Sequence, residues 1–153
     1  MRAINHALTG AVIGLTVSNP VVAIPLAFVS HFVCDAIPHY GSGNSSSVAL
    51  ASRRFAVFLV VDALLCLSLV VVLGAAQPFN WLLAAVCAFT AALPDFAFLP
   101  GYLRVKQGGV LLTDRASFFV RFAKNIQWFE RPIGAAVETV WFVAGVSIVI
   151  TYL

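Results

Sequence analysis

With 153 residues, 61% of them hydrophobic and 10% charged, and a mean hydropathy of +0.99, the chain is too apolar for a soluble domain of ordinary make-up. Its formal charge of +3 comes from nine cations spread over the hydrophilic stretches, and the lack of an aromatic-basic module excludes a nucleic-acid binder. Cys34, Cys66 and Cys87 are odd in number and sit in apolar runs, so they read as small hydrophobes and imply no disulfide framework. The expected class is all-α: one membrane-embedded domain over 1–153, with about five transmembrane helices and one interfacial amphipathic helix.

The first apolar run, 3–17, is short for a span. Gly10 and Gly14 interrupt it, and His6 stands where a leader would be merely basic, so it is expected to be a retained helix. Ser18-Asn19-Pro20 turns the chain and offers proline to the first position of the next helix. Helices 3–17 and 20–37 thus form a tight hairpin, either spanning or re-entrant, with Pro25 as an expected kink. The Gly10-x3-Gly14 motif predicts close packing of that hairpin. A polar loop, Gly41 to Ser47, leads to Arg53 and Arg54.

The run 55–76 is long enough, at ~1.5 Å per residue, to cross a ~30 Å hydrocarbon core, and Asp62 is its only charge. After the Gln77-Pro78 turn, a fourth span over 79–99 carries Leu93-Pro94-Asp95. Residues 110–129 interleave Phe118, Phe119, Phe122, Ile126 and Trp128 with Arg115, Arg121 and Lys124, the composition of a helix lying among headgroups. The fifth span, 132–153, is interrupted only by Glu138.

This arrangement puts all nine cations on one side, which the positive-inside rule makes cytoplasmic. The N-terminus is then inside and the C-terminus outside, in a bacterial or archaeal inner membrane. Arg53, Arg54, Arg104 and Lys106 would meet the anionic headgroups of membrane lipids. No pattern in the chain sets an oligomeric state.

His6, His31, Asp35, His39, Asp62, Asp95 and Glu138 lie inside or at the ends of the apolar segments. Four unpaired acids there would together cost on the order of 10 kcal/mol, so a metal, a proton path or mutual pairing is required. Counted from the cytoplasmic ends, all seven fall within ~10 Å of the inner boundary. His31 and Asp35 are one helical turn apart and share a face. His39 follows Pro38; on a straight helix it would lie ~12 Å from His31, too far to share an ion.

Histidine with carboxylate suits zinc first, then manganese or iron, as one or two ions. The expected metal ligands are His31, Asp35 and Asp95, with His6 and His39 completing that ion or holding a second. Asp62 and Glu138 have no basic residue inside any span to pair with, and are the candidates for general base or for orienting a ligand histidine. The expected activity is metal-dependent hydrolysis, at the cytoplasmic face, of a phosphoester or other bond in an amphipathic, lipid-like substrate. A transporter coupled to ions or protons is the alternative from another class, although the outer halves of all five segments lack charges. A non-catalytic scaffold pinned by its metal is the third.

The opening His6-Ala7-Leu8-x-Gly10, the element Ser30-His31-x3-Asp35-x-Ile37-Pro38-His39 and Leu93-Pro94-Asp95 together resemble the small bacterial membrane-bound metal-dependent hydrolases of the YdjM type, over roughly the first hundred residues. The resemblance implies metal binding by His6, His31, Asp35, His39 and Asp95. The chain departs from that pattern where Phe96-Ala97-Phe98 follows Asp95 in place of an Asp-His pair, and it has no His-Arg-x-x-Thr-His element. The His-x3-Asp-x2-Pro-His string is also similar to a zinc-ligand stretch of the phospholipase C and P1 nuclease group, which favours phosphoester chemistry.

Overall fold

The computed structural model describes residues 1–40, 50–109, 118–127 and 130–153. The loop Gly41 to Ser47, Arg115 and Trp128 lie outside the described residues, as do the side chains of Phe119 and Lys124. Among the described residues the chain is helical, and its one β-type feature is an isolated bridge between His39 and Glu130.

The helices are α1 (Ala3–Thr16), α2 (Pro20–Ala36), α3 (Arg53–Ala76), α4 (Trp81–Ala92), α5 (Leu99–Lys106), α6 (Phe118–Ile126) and α7 (Gly134–Ile150). Their boundaries have local causes. Asn19 Oδ1 accepts the Val21 amide, and Pro20, which has no N–H to satisfy, opens α2. Ser52 Oγ caps α3 by accepting from the Phe55 amide. Gln77 and Asn80 adopt positive φ of 48° and 64° to reverse the chain between α3 and α4. That turn meets the α1–α2 turn, where Asn80 Nδ2 donates to Ser18 Oγ at 3.2 Å.

One boundary and the number of long spans differ from expectation. The fourth segment does not end near Leu99: a 3-10 stretch, Leu93–Phe98, links α4 to α5, so the helical run reaches Lys106. Pro94 lacks an amide for the α-ladder, and the backbone tightens there instead of breaking. In addition, Arg53–Ala76 and Trp81–Lys106 are the two helical runs long and apolar enough to cross a membrane; α1, α2 and α7 are apolar but have 14, 17 and 17 residues.

Helix α1 is the axis of the bundle and packs against α2, α3, α4 and α7. Gly10 and Gly14 face α4, where a Cβ on either would collide with the backbone of Cys87 or Ala84. The small-residue motif therefore seats α1 on α4 and not, as expected, chiefly on its hairpin partner. Ile4, Leu8, Ala11 and Leu15 join Leu69, Leu73, Ala84 and Val149 in the core. Outward faces are apolar as well: Val60, Leu64, Leu67 and Val71 of α3 are exposed, while Asn5, His6, His31, Asp35, Asp62 and Glu138 are buried.

Candidate metal centre

The buried polar residues gather at one end of the bundle, where α1, α3 and α7 begin and α2 and α4 end. Gly10 lets α1 approach α4, which brings His6 into a stack with His31 of α2, ring centroids 4.0 Å apart and 24° from parallel. Asp35, one turn after His31, lies between their imidazoles. His6 Nε2 is 3.2 Å from Asp35 Oδ1, and His31 Nε2 is 3.3 Å from Asp35 Oδ2.

Neither approach is a hydrogen bond. His6 Nδ1 and Nε2, and His31 Nε2, are buried polar atoms with no hydrogen-bond partner among the described residues. The tautomer of His31 explains its share. Its Nδ1 lies 2.8 Å from the carbonyl of Ala91, which accepts only, so Nδ1 carries the proton. In the neutral ring the Nε2 lone pair then faces a carboxylate, an arrangement that repels unless a cation sits between the two or the ring is itself charged. Fixing the outer nitrogen on a backbone carbonyl is also how metal-binding histidines are held.

His6, His31 and Asp95 each offer a ligand atom within 4.8 Å of the others. Asp95 Oδ1 is 3.9 Å from His31 Nε2, and its side chain is 33% exposed, the accessible edge of an otherwise enclosed cluster. Asp35 has two further partners: the Met1 amino group at Oδ1, and Gln127 Nε2, which donates to Oδ2 at 2.9 Å. The amphipathic segment expected among headgroups is thus packed on the bundle. Helix α6 docks against α2, with Phe122 5.6 Å from Phe32, and the residue after it reaches the cluster.

The other expected site residues are placed differently. His39 makes no contact with this cluster among the described residues. Its Nδ1 donates to the Ile37 carbonyl at 2.9 Å, and its Nε2 is 3.9 Å from Glu130 Oε1. Its backbone carbonyl accepts from Arg131, and Gly134 packs so close to it that no side chain would fit. Glu138 is buried beside it, with Oε1 accepting the Tyr40 amide at 3.2 Å.

Asp62 is not without a cation, contrary to the sequence-based expectation: Arg2, from just outside α1, brings Nε to 3.3 Å and lays its guanidinium over Phe58. Asp62 Oδ2 also accepts the Ala3 amide at 2.8 Å, which caps α1 from a neighbouring helix. Asp62→Ala should therefore lower stability by ~0.5–2 kcal/mol, the usual worth of an N-cap, read as thermal unfolding in detergent, and leave the His6–His31–Asp35 geometry intact.

Gln127, Arg2 and the Ala91 carbonyl are contributors that the sequence reading missed. Ala91 had a signal in Pro94, three residues on, which has no amide to offer its carbonyl in a 3-10 turn. Gln127 had none, being one polar residue at the edge of a mixed segment. No family model matches the chain, and no curated protein or solved structure matches it either.

Proposed function

We propose that the protein spans a membrane and acts as a metal-dependent hydrolase, with His6, His31, Asp35 and Asp95 as the residues that hold a divalent cation. The observation that carries this reading is the enclosed pair of imidazoles presenting unpartnered nitrogens to one carboxylate. Their N···O separations fit the ~3.3 Å edge expected between ligands that stand ~2.0–2.1 Å from a zinc-sized ion. When bound, such a cation supplies Lewis acidity and makes water a nucleophile at neutral pH.

The protein's own groups supply the rest. The Ala91 carbonyl keeps the His31 proton on Nδ1, and Gln127 holds one Asp35 oxygen so that the carboxylate cannot swing away. Asp95, at the open edge, is placed to accept a proton from attacking water or to complete the ligand set. It takes that role ahead of Asp62 and Glu138, whose carboxylates are engaged by Arg2 and the Ala3 amide, and by the Tyr40 amide.

The membrane reading is supported by the two long apolar runs, by the apolar outer faces and by the polar interior. Five crossing segments with the cations on the cytoplasmic side remain the arrangement we favour, and the substrate class an amphipathic, lipid-like molecule cleaved at a phosphoester or other bond, the phosphoester being favoured by the similarity of the His-x3-Asp-x2-Pro-His string to the phospholipase C and P1 nuclease ligand stretch.

One observation favours a second reading. The Met1 amino group already places a cation on Asp35, so the cluster could pin α1 to α2 as a purely structural network. Metal analysis of protein purified in detergent separates the two. Stoichiometric zinc, manganese or iron, with turnover when phosphoester lipids are supplied, supports the hydrolase; folded protein recovered from the membrane fraction without metal supports the pin. Liposome flux without turnover would favour a transporter. On the metal reading, Gln127→Leu should weaken zinc affinity by ~10–100-fold, the usual effect of removing a supporting hydrogen bond, in a competitive chelator titration with helicity unchanged.

A further inference from the structure

Helices α3 and α7 both pack on α1 but make little contact with each other. Between them runs a groove of about 280 Å³. Its floor is Ile4, Leu8, Leu69 and Val149, all buried, and its rim is Val72, Ile150 and Leu153, all exposed. Ser68, the one polar residue in the lining, donates its hydroxyl to the Leu64 carbonyl at 2.8 Å and so asks nothing of an occupant.

Along α7 the lining extends from Phe142 to Ile150, a length of ~12 Å at helical rise, and Leu153 continues it past the helix end. Its upper end adjoins the polar layer along α3, where Phe58 and Asp62, the two residues Arg2 touches, precede Leu65 by seven and three positions and so share its face.

We infer that this groove holds one acyl chain of an anionic glycerophospholipid, with the lipid's phosphate beside Arg2. The dimensions exclude a helix from a second copy. A helix is ~10–12 Å across, and a stable pairing covers ~800 Å² on each partner, whereas this slot is small and its floor is already enclosed. A single methylene chain lying parallel to the helices fits it. Charge completes the match. The Arg2 side chain is 29% exposed although its Nε is buried against Asp62, and a guanidinium has five donors in a fork suited to phosphate, so its exposed part is left to meet a second anion.

The inference rests on the membrane reading above, not on the hydrolase reading. His6 lies two residues from both Ile4 and Leu8, about 200° around α1. This lipid is therefore a resident that bridges α3 and α7, held on the other flank from the histidine cluster.

The test uses the full chain in vesicles of phosphatidylglycerol and phosphatidylcholine, with a trace of either lipid carrying a photoreactive diazirine in its acyl chain. After irradiation, mass spectrometry should find adducts from the phosphatidylglycerol probe concentrated on 65–72 and 142–153, several-fold above the exposed positions Val29 and Val86. Ser68→Phe should cut that labelling several-fold, and Arg2→Gln should erase the preference for phosphatidylglycerol.

Adducts spread evenly over all exposed faces, labelling unchanged by Ser68→Phe, or crosslinked dimers through the same residues would each overturn the groove assignment. Equal labelling by both probes would overturn the headgroup. A chain that does not float with vesicles would overturn the membrane reading and the groove together, and this outcome is distinguishable because no adducts form at all.

Discussion

On the metal reading, Asp35→Ala is expected to abolish divalent-cation binding, and on either reading to destabilise the protein by ~3–5 kcal/mol, the range for removing one partner from a buried charged set. Asp35 is 1% exposed and is the one group that touches His6, His31, Gln127 and the Met1 amino group. Without it, two buried imidazoles and an amine face one another, and the anion left beside them is the partly exposed Asp95, 3.9 Å from His31 Nε2. Zinc affinity should fall by more than ~100-fold, beyond the range seen for losing a supporting contact. Asp35→Asn separates ligation from packing, because it keeps the volume and an acceptor for Gln127 but loses the charge. It should stay helical by circular dichroism and bind metal poorly. Stoichiometric metal in Asp35→Asn would remove Asp35 from the ligand set. A wild-type protein purified without metal, together with a destabilised Asp35→Ala, would leave the cluster as a structural pin.

Gly10→Val should be as damaging by a different route. A Cβ at Gly10 would occupy the space of the Cys87 carbonyl and Ala91 Cβ, so α1 must move away from α4. Overpacking of this kind costs ~1–3 kcal/mol or more, and in the lipid environment proposed above there is little hydrophobic force to draw the helices back together. The chemical consequence is larger than the stability loss. His6 lies one turn before Gly10, and Ala91, whose carbonyl holds His31 Nδ1, is one of the residues that would be struck. Gly10→Val should therefore lose zinc binding as Asp35→Ala does, although no ligand is altered. Gly74→Ala is the matched control. Its added methyl would meet Trp81 at 3.7 Å, an ordinary contact, and removing a glycine from a helix interior should stabilise by ~0.5–1 kcal/mol. Thermal unfolding in detergent and chelator titration of the two variants check both statements. Metal retention in Gly10→Val would show that the cluster does not depend on the α1–α4 contact.

The helices were legible because each has a local cause: uninterrupted apolar runs, Asn19 and Ser52 as caps, prolines at starts. The ends were less so. Pro94 reads as a stop, yet a 3-10 turn carries the chain through it to Lys106, since the helices packed around it hold the segment together. The clustering of His6, His31, Asp35 and Asp95 followed from counting depth along antiparallel segments. Depth alone does not give azimuth, and so His39 and Asp62, at the same level, were grouped with them. His39 turns toward Glu130 after Pro38, and Asp62 turns toward Arg2 and the start of α1.

By itself, then, the order of residues determined an all-helical chain with apolar exteriors and a band of ionisable groups at one end, because hydropathy, caps and the 1.5 Å rise act along the chain. Only the tertiary structure decided which of those groups face one another. That depends on how closely α1 can lie on α4, a distance set by two glycines, and on contacts such as Gln127 to Asp35 that join residues far apart in the chain and leave no periodic mark in either segment.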